Sequence, residues 1–335
     1  MPMLFKQKIS TRGMTPLSLC CAAGFLFGIG FVAGVYFFPQ SPRNEISEVH
    51  ETNSSSSFIN PLLACDQFSS VSNRQLNSIK AGVSKYLSSA QKENNIQMAS
   101  VYFRDLNNGP WFGIDEKETF IPGSLLKVPF LISLFKLAEQ DTAFLKKGIL
   151  YEGGRADYAQ QYPPSVKIEE GKEYTIGELI ERMIKYSDND ATLLLSQMIS
   201  TDQIRASYIE LGIDSPEDSN YVITVRTYAS FFRILFNATY LNQEMSARAL
   251  SLLSQSEFKD GLRAGVPKEI VISHKFGERW TNGNEPSQLH DCGIVYYPNH
   301  PYLLCVMVRG KSFDQMSTFI KDVSKIVYTE VDKGL

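Results

Sequence analysis

Histidine, cysteine and net charge are all scarce in this 335-residue sequence, which has four His, five Cys and 33 basic against 36 acidic residues. A formal charge of −3 gives no whole-chain field for a phosphate backbone, so nucleic acid is not an expected partner. His50, His274, His290 and His300 show no ligand spacing on a helix, so neither a metal-dependent hydrolase nor any cofactor is expected. His274 and His290 read instead as polar residues of a sheet. Beyond Cys20 and Cys21, the cysteines are Cys65, Cys292 and Cys305, an odd number with no CxxC. Neither a zinc site nor a disulfide framework is indicated, and the partners of any single bridge stay open. With 43% apolar and 21% charged residues and no internal repeat, the composition is globular.

Charge is also absent locally. Residues 17–38, LSLCCAAGFLFGIGFVAGVYFF, form 22 positions without a charged side chain, long enough for a helix to cross about 30 Å of hydrocarbon. A cleavable signal would be shorter and end in small residues, whereas this run ends Val35-Tyr36-Phe37-Phe38. Lys6, Lys8 and Arg12 precede it, and Arg43 with Glu45, Glu48 and Glu51 follow, an arrangement that keeps residues 1–16 cytoplasmic and the remainder outside. The expectation is a single-pass anchor in the cell membrane with an extracytoplasmic domain. Gly24-x-x-x-Gly28 and Gly30-x-x-x-Gly34 would let helices approach closely, though oligomeric state is not fixed by them. Residues 39–70, with Pro39, Pro42, Pro61 and Ser54 to Ser57, read as a solvated tether.

Residues 71–335 suit one large domain. Periodicity predicts helices over 74–93, 124–140, 175–186, 201–211, 224–240, 244–255 and 313–329, and strands over 97–104, 110–115, 270–276, 288–297 and 302–309. Thr175-x-x-Glu178 and Ser200-x-x-Gln203 have the spacing of capping boxes. Two strands, a helical block, three strands and a helix predict an α+β fold: a mostly antiparallel five-stranded sheet flanked by helices, with a helical lobe. The cleft between sheet and lobe is the expected site.

Ser124-Leu125-Leu126-Lys127 follows Pro122-Gly123 at a helix start, where spacing i, i+3 sets a hydroxyl and an amine on one face. Such an amine can serve as the serine's base when burial lowers its pKa. Ser133-x-x-Lys136 and Ser256-x-x-Lys259 share the spacing, so spacing alone does not select the pair. Ser187-Asp188-Asn189, 63 residues on, offers a hydroxyl and an amide between two helices. Lys275-Phe276-Gly277 ends an apolar strand with a cation beside a residue lacking a side chain.

In this order the three segments resemble the motif set of class A β-lactamases and penicillin-binding serine hydrolases. The resemblance extends over residues 71–333 through FIPGSLLKVPF, TIGELIERMIKYSDNDATLLL, AGVPKEIVISHKFG and HDCGIVYYPNHPYLLCVMVRG. It implies that Ser124 attacks a strained or D-alanyl amide, that Lys127 takes its proton, and that Ser187 passes a proton to the leaving nitrogen. Asn189 would hold the substrate's amide and Lys275, with Phe276 and Gly277, would receive its carboxylate. The N–H groups of Ser124 and Glu278 would form the oxyanion hole. Arg263 and Arg279 are candidates for a second cation, and also read as surface charges.

Two departures matter. Phe276 stands where the family usually has threonine or serine, removing a hydrogen bond to the substrate carboxylate. The family's deacylating glutamate has no counterpart in the short stretch Gly212 to Ile223, where Glu217 and Asp218 are the candidate substitutes and read first as turn residues. The implied ligands are therefore β-lactams or peptidoglycan D-alanyl peptides, hydrolysed as by a lactamase or held as by a D-alanyl-D-alanine carboxypeptidase-like protein. A non-catalytic wall-binding module is the competing reading.

Overall fold

The computed structural model describes residues 58–60, 72–93, 96–107, 109–154, 160–216, 221–281 and 285–333. The tail, the apolar run 17–38, most of the tether, Cys65, Glu217 and Asp218 lie outside the described residues. Among those described, no helix is long and apolar enough to cross a membrane. Phe58–Asn60, within the segment read as tether, are seated on the domain: Phe58 meets Tyr296 edge to face at 5.6 Å, and Asn60 N–H donates to Phe236 O.

Five strands, β1 (Ile96–Asp105), β2 (Trp111–Ile114), β7 (Ile272–Arg279), β8 (Ser287–Val295) and β9 (Tyr302–Gly310), form one antiparallel sheet ordered β2-β1-β9-β8-β7. Alternation along each strand sends side chains to two cores. On one face Ala99, Val101, Leu304, Val306 and Val308 pack with Ile79, Val83 and Leu87 of α1 (Asn73–Lys92) and Val323 and Val327 of α8 (Phe313–Lys333). On the other, Cys292, Ile294, Cys305 and Met307 meet the helical lobe. Cys292 and Cys305 are register partners, both buried free thiols.

The lobe is built around α2 (Lys127–Gln140), an almost wholly buried helix with apolar side chains on every face. Around it lie α3 (Ile176–Lys185), α4 (Asn189–Ser196), α5 (Thr201–Glu210), α6 (Val225–Phe236) and α7 (Gln243–Leu253). Both capping boxes form, at Thr175 and Ser200. Short two-stranded pairs, β3 (Thr119–Phe120) with β6 (Ile223–Thr224) and β4 (Gly148–Leu150) with β5 (Glu173–Thr175), lie apart from that sheet and carry no sequence expectation.

Two differences from expectation shape the site. Ser124 lies not in an α-helix but in a 3-10 turn, Gly123–Leu126, that feeds α2 at Lys127. The Lys275-Phe276-Gly277 segment does not end its strand: β7 continues to Arg279, with Gly277 opposite His290 and Glu278 opposite Leu289. The charges at 278 and 279 break the apolar pattern, yet β7 is an edge strand and tolerates them.

Candidate active site

The serine turn and the free edge of β7 meet through two glycines. A Cβ at Gly277 would lie 2.5 Å from Pro122 O and 2.9 Å from Leu125 N, and one at Gly123 would lie 2.4 Å from Glu278 O. Gly123 also has φ +53, where an L side chain is strained. This contact brings the main chain on either side of Ser124 against that of Glu278, the two segments expected to supply an oxyanion hole.

Residues distant in sequence hold the turn. Gln288 accepts from Ile121 N–H at 3.1 Å, and Tyr228 donates to Leu125 O at 3.0 Å. His290 is buried; Val308 N–H donates to its Nδ1, which leaves Nε2–H to donate to Ile121 O at 3.0 Å. Burial lowers its pKa to about 4, so the ring stays neutral and this tautomer persists. None of the three carries a local sequence signal for this role.

Between α3 and α4, Ser187 has φ +57, at a cost of about 1–2 kcal/mol for a residue with a Cβ. The next residue fixes that conformation: Asp188 caps α4 by accepting from Asp190 and Ala191 N–H, while its other oxygen accepts from Ile168 N–H. Ser187 is fully buried as a result, and two amines converge on its hydroxyl. Lys127 Nζ lies 3.1 Å and Lys275 Nζ 2.9 Å from Ser187 Oγ. Lys127 Nζ also reaches Ser187 O and Asn189 Oδ1, each at 2.7 Å, and Lys275 Nζ donates to Phe276 O at 3.0 Å.

Burial is the main reason the Lys127 amine falls well below the ordinary lysine value, with Lys275 adding to it, and burial lowers Lys275 to about 7. A neutral Lys127 has two N–H donors and a lone pair. Ser187 O and Asn189 Oδ1 can only accept, so they take the donors, and the lone pair can receive the Ser187 O–H. Ser187 Oγ can in turn accept from a Lys275 ammonium. Lys275, Ser187 and Lys127 then form one continuous hydrogen-bonded chain. The bonds made by Lys127 do not include one to Ser124, its i−3 neighbour, a contact that catalytic groups often complete only with substrate bound.

The ring of Phe276, only 3% exposed, stacks on Phe258 at 4.3 Å and meets Tyr162 edge to face at 5.9 Å. It belongs to the core on the face of the sheet covered by α1 and α8, and its side chain is packed rather than offered to the cleft. Arg263 donates to Pro267 O and Ile270 O, and the half-buried Arg279 pairs with the exposed Glu285 at 3.7 Å. Ser133 donates to Pro129 O and Lys136 to Tyr240 O, so that Ser-x-x-Lys pair is structural. Lys259 donates to Ser256 O.

A match to the family model described as "Beta-lactamase enzyme family" covers residues 81–331. The chain belongs to this family. Its members are serine hydrolases. Beta-lactamase SME-1 of Serratia marcescens is 22% identical over 252 residues, covering 69% of this chain and 83% of that protein. Among solved structures, a PBP-A mutant in an acyl-enzyme complex with penicillin G superposes with TM-score 0.63 at 23% identity, over 76% of this chain and 97% of its own. The TLA-1 extended-spectrum beta-lactamase gives 0.65 at 18% identity, over 77% and 99%. At these identities the structures share the fold.

Proposed function

We propose that the domain is a serine hydrolase that forms an acyl-Ser124 intermediate with D-alanyl peptides or β-lactams. One observation carries this: two buried amines, one of them on Lys127 three residues after Ser124, share the Ser187 hydroxyl. Ser124 Oγ bonds to the acyl carbon as its proton passes to Lys127 Nζ. The carbon–nitrogen bond then breaks, and Ser187 returns the proton to the leaving nitrogen. Ser124 and Glu278 N–H groups receive the oxyanion charge, and Asn189 Nδ2 remains to bind a substrate carbonyl while its oxygen holds Lys127. The apolar run 17–38 supports placing this reaction on the outer side of a membrane, where wall peptides are found.

Release of the acyl group is the weaker half of the reaction. Asp188 and Glu278 are the carboxylates acting electrostatically on Lys127. Asp188 is consumed by α4 and Ile168, and Glu278 accepts the N–H groups of Gln161 and Tyr162. General-base help is worth about 10²–10⁴ in rate. The acyl-enzyme is therefore proposed to persist, as in a penicillin-binding protein. Intact-mass analysis of the full chain with penicillin G and with an N-acetyl-D-alanyl thioester tests this: an adduct lost in Ser124→Ala supports it, and no adduct with either probe favours a non-catalytic wall-binding module.

A further inference from the structure

Cys292 and Cys305 are the only cysteines among the described residues, and they fall at one position of the sheet. As register partners on β8 and β9 they point to the same face, and both belong to the core beneath the lobe. Lys275, opposite Cys292, and Tyr102, opposite Cys305, continue the row on either side. Tyr228, whose hydroxyl holds the serine turn, lies in the same core. The pair therefore sits in the floor of the site, one strand from Lys275, and acylation of Ser124 gives it no part.

Directly opposed residues of an antiparallel pair have Cα atoms about 4.5–5.5 Å apart, within the roughly 4.4–6.8 Å that a disulfide spans. No sliding of one strand along the other is needed to join the sulfurs. Both side chains are fully buried, and burial is the main reason each thiol stands above the ordinary cysteine value. A thiol kept protonated and away from solvent does not exchange. Oxidation therefore belongs to the folding chain, before the lobe closes over the sheet, and the state set then is retained.

We propose that Cys292 and Cys305 form a disulfide as the chain folds in an oxidising medium, and that the folded domain then holds this bond out of reach of reductants. Of the bridges among Cys65, Cys292 and Cys305 that the sequence leaves open, the register selects this one. The oxidant is a small disulfide such as glutathione disulfide. One protein thiolate displaces a glutathione thiolate to give a mixed disulfide, and the second protein thiol displaces the other glutathione. The two thiol protons end on two glutathione thiols. The bond ties β9 to β8 at the residue opposite Lys275, and it does not depend on acyl-Ser124 chemistry.

The full chain in detergent, reduced and unfolded in urea, is refolded in a glutathione redox buffer, then denatured and alkylated with and without prior reduction. The parent and Cys65→Ser are both expected to be lighter by two hydrogens, with one unreduced peptide pair joining Cys292 to Cys305. The bridged form is expected to melt about 5–10 °C above the reduced form. Left folded, it is expected to keep the bond in dithiothreitol, and the form folded under reductant is expected to keep both thiols in glutathione disulfide. Alkylation of both cysteines without reduction, or a link from either to Cys65, overturns the inference. A bridged form that melts lower, or rapid exchange in the folded protein, overturns it as well. If the chain does not refold, alkylation under denaturing conditions and mapping of the full chain from bacterial membranes decides: a 292–305 link supports the bond and free thiols overturn it.

Discussion

Lys275 Nζ donates to Ser187 Oγ at 2.9 Å, and both residues are fully shielded from solvent. The strand edge and the loop between α3 and α4 are joined at that bond, and Lys127 reaches the same oxygen from the third segment. The site is therefore one unit, and removal of any member disturbs the other two.

Ser187→Ala removes the atom both amines share. Acylation of Ser124 is expected to fall by about 10²-fold or more. The domain is expected to lose about 1–3 kcal/mol from a buried ammonium left without its acceptor. Intact-mass time courses and urea unfolding measure the two effects.

Gly277→Ala places a methyl group against the main chain of Pro122 and Leu125, neither of which can turn away. A cost of about 1–3 kcal/mol in stability and a loss of acylation are expected together. Gly212→Ala is the comparison: it has φ +68 with nothing within 4 Å of the added atom, so its penalty is confined to the backbone and acylation is preserved. Thermal unfolding and acylation rates on both variants make the check.

Ser133→Ala tests whether spacing or placement makes the nucleophile. The Ser133 hydroxyl only bonds back to Pro129 O on α2, so the variant is expected to cost no more than about 1 kcal/mol and to acylate at the parent rate. Loss of acylation in this variant would contradict the assignment to Ser124.

Stability carries a signature of the buried amine. Lys275 titrates at about 7 in the folded protein, against about 10.4 for an unfolded lysine. Between those values the unfolded chain binds the extra proton, so this group makes stability rise with pH. Below about 7 it is protonated in both states and adds no slope. Lys275→Met removes the rise, so variant stability minus parent stability is expected to fall between pH 7 and 10 in urea titrations. A difference that grows over that window would contradict burial of the amine.

The positions of Ser124, Lys127, Ser187, Asn189 and Lys275 were legible because short motifs carry them, and the pairing of β8 with β9 was legible because two apolar segments flank the short turn Pro298–Pro301. What escaped depends on distant contacts. The clamp of Gln288, His290 and Tyr228 on the serine turn crosses more than a hundred residues and leaves no local pattern. The Glu278 side chain was read only through its backbone because its partners, Gln161 and Tyr162, lie in an aperiodic stretch with Pro163 and Pro164. Phe276 looked like a substrate contact by position in the motif; tertiary packing on Phe258 decides otherwise.

Formation of acyl-Ser124 is tested most directly by the intact mass of the full chain with N-acetyl-D-alanyl thioglycolamide, followed by peptide mapping. A single acyl group is expected on the peptide containing Ser124, persisting over hours and absent from Ser124→Ala. An adduct of equal yield in Ser124→Ala, or one mapped to another residue, would contradict the assignment.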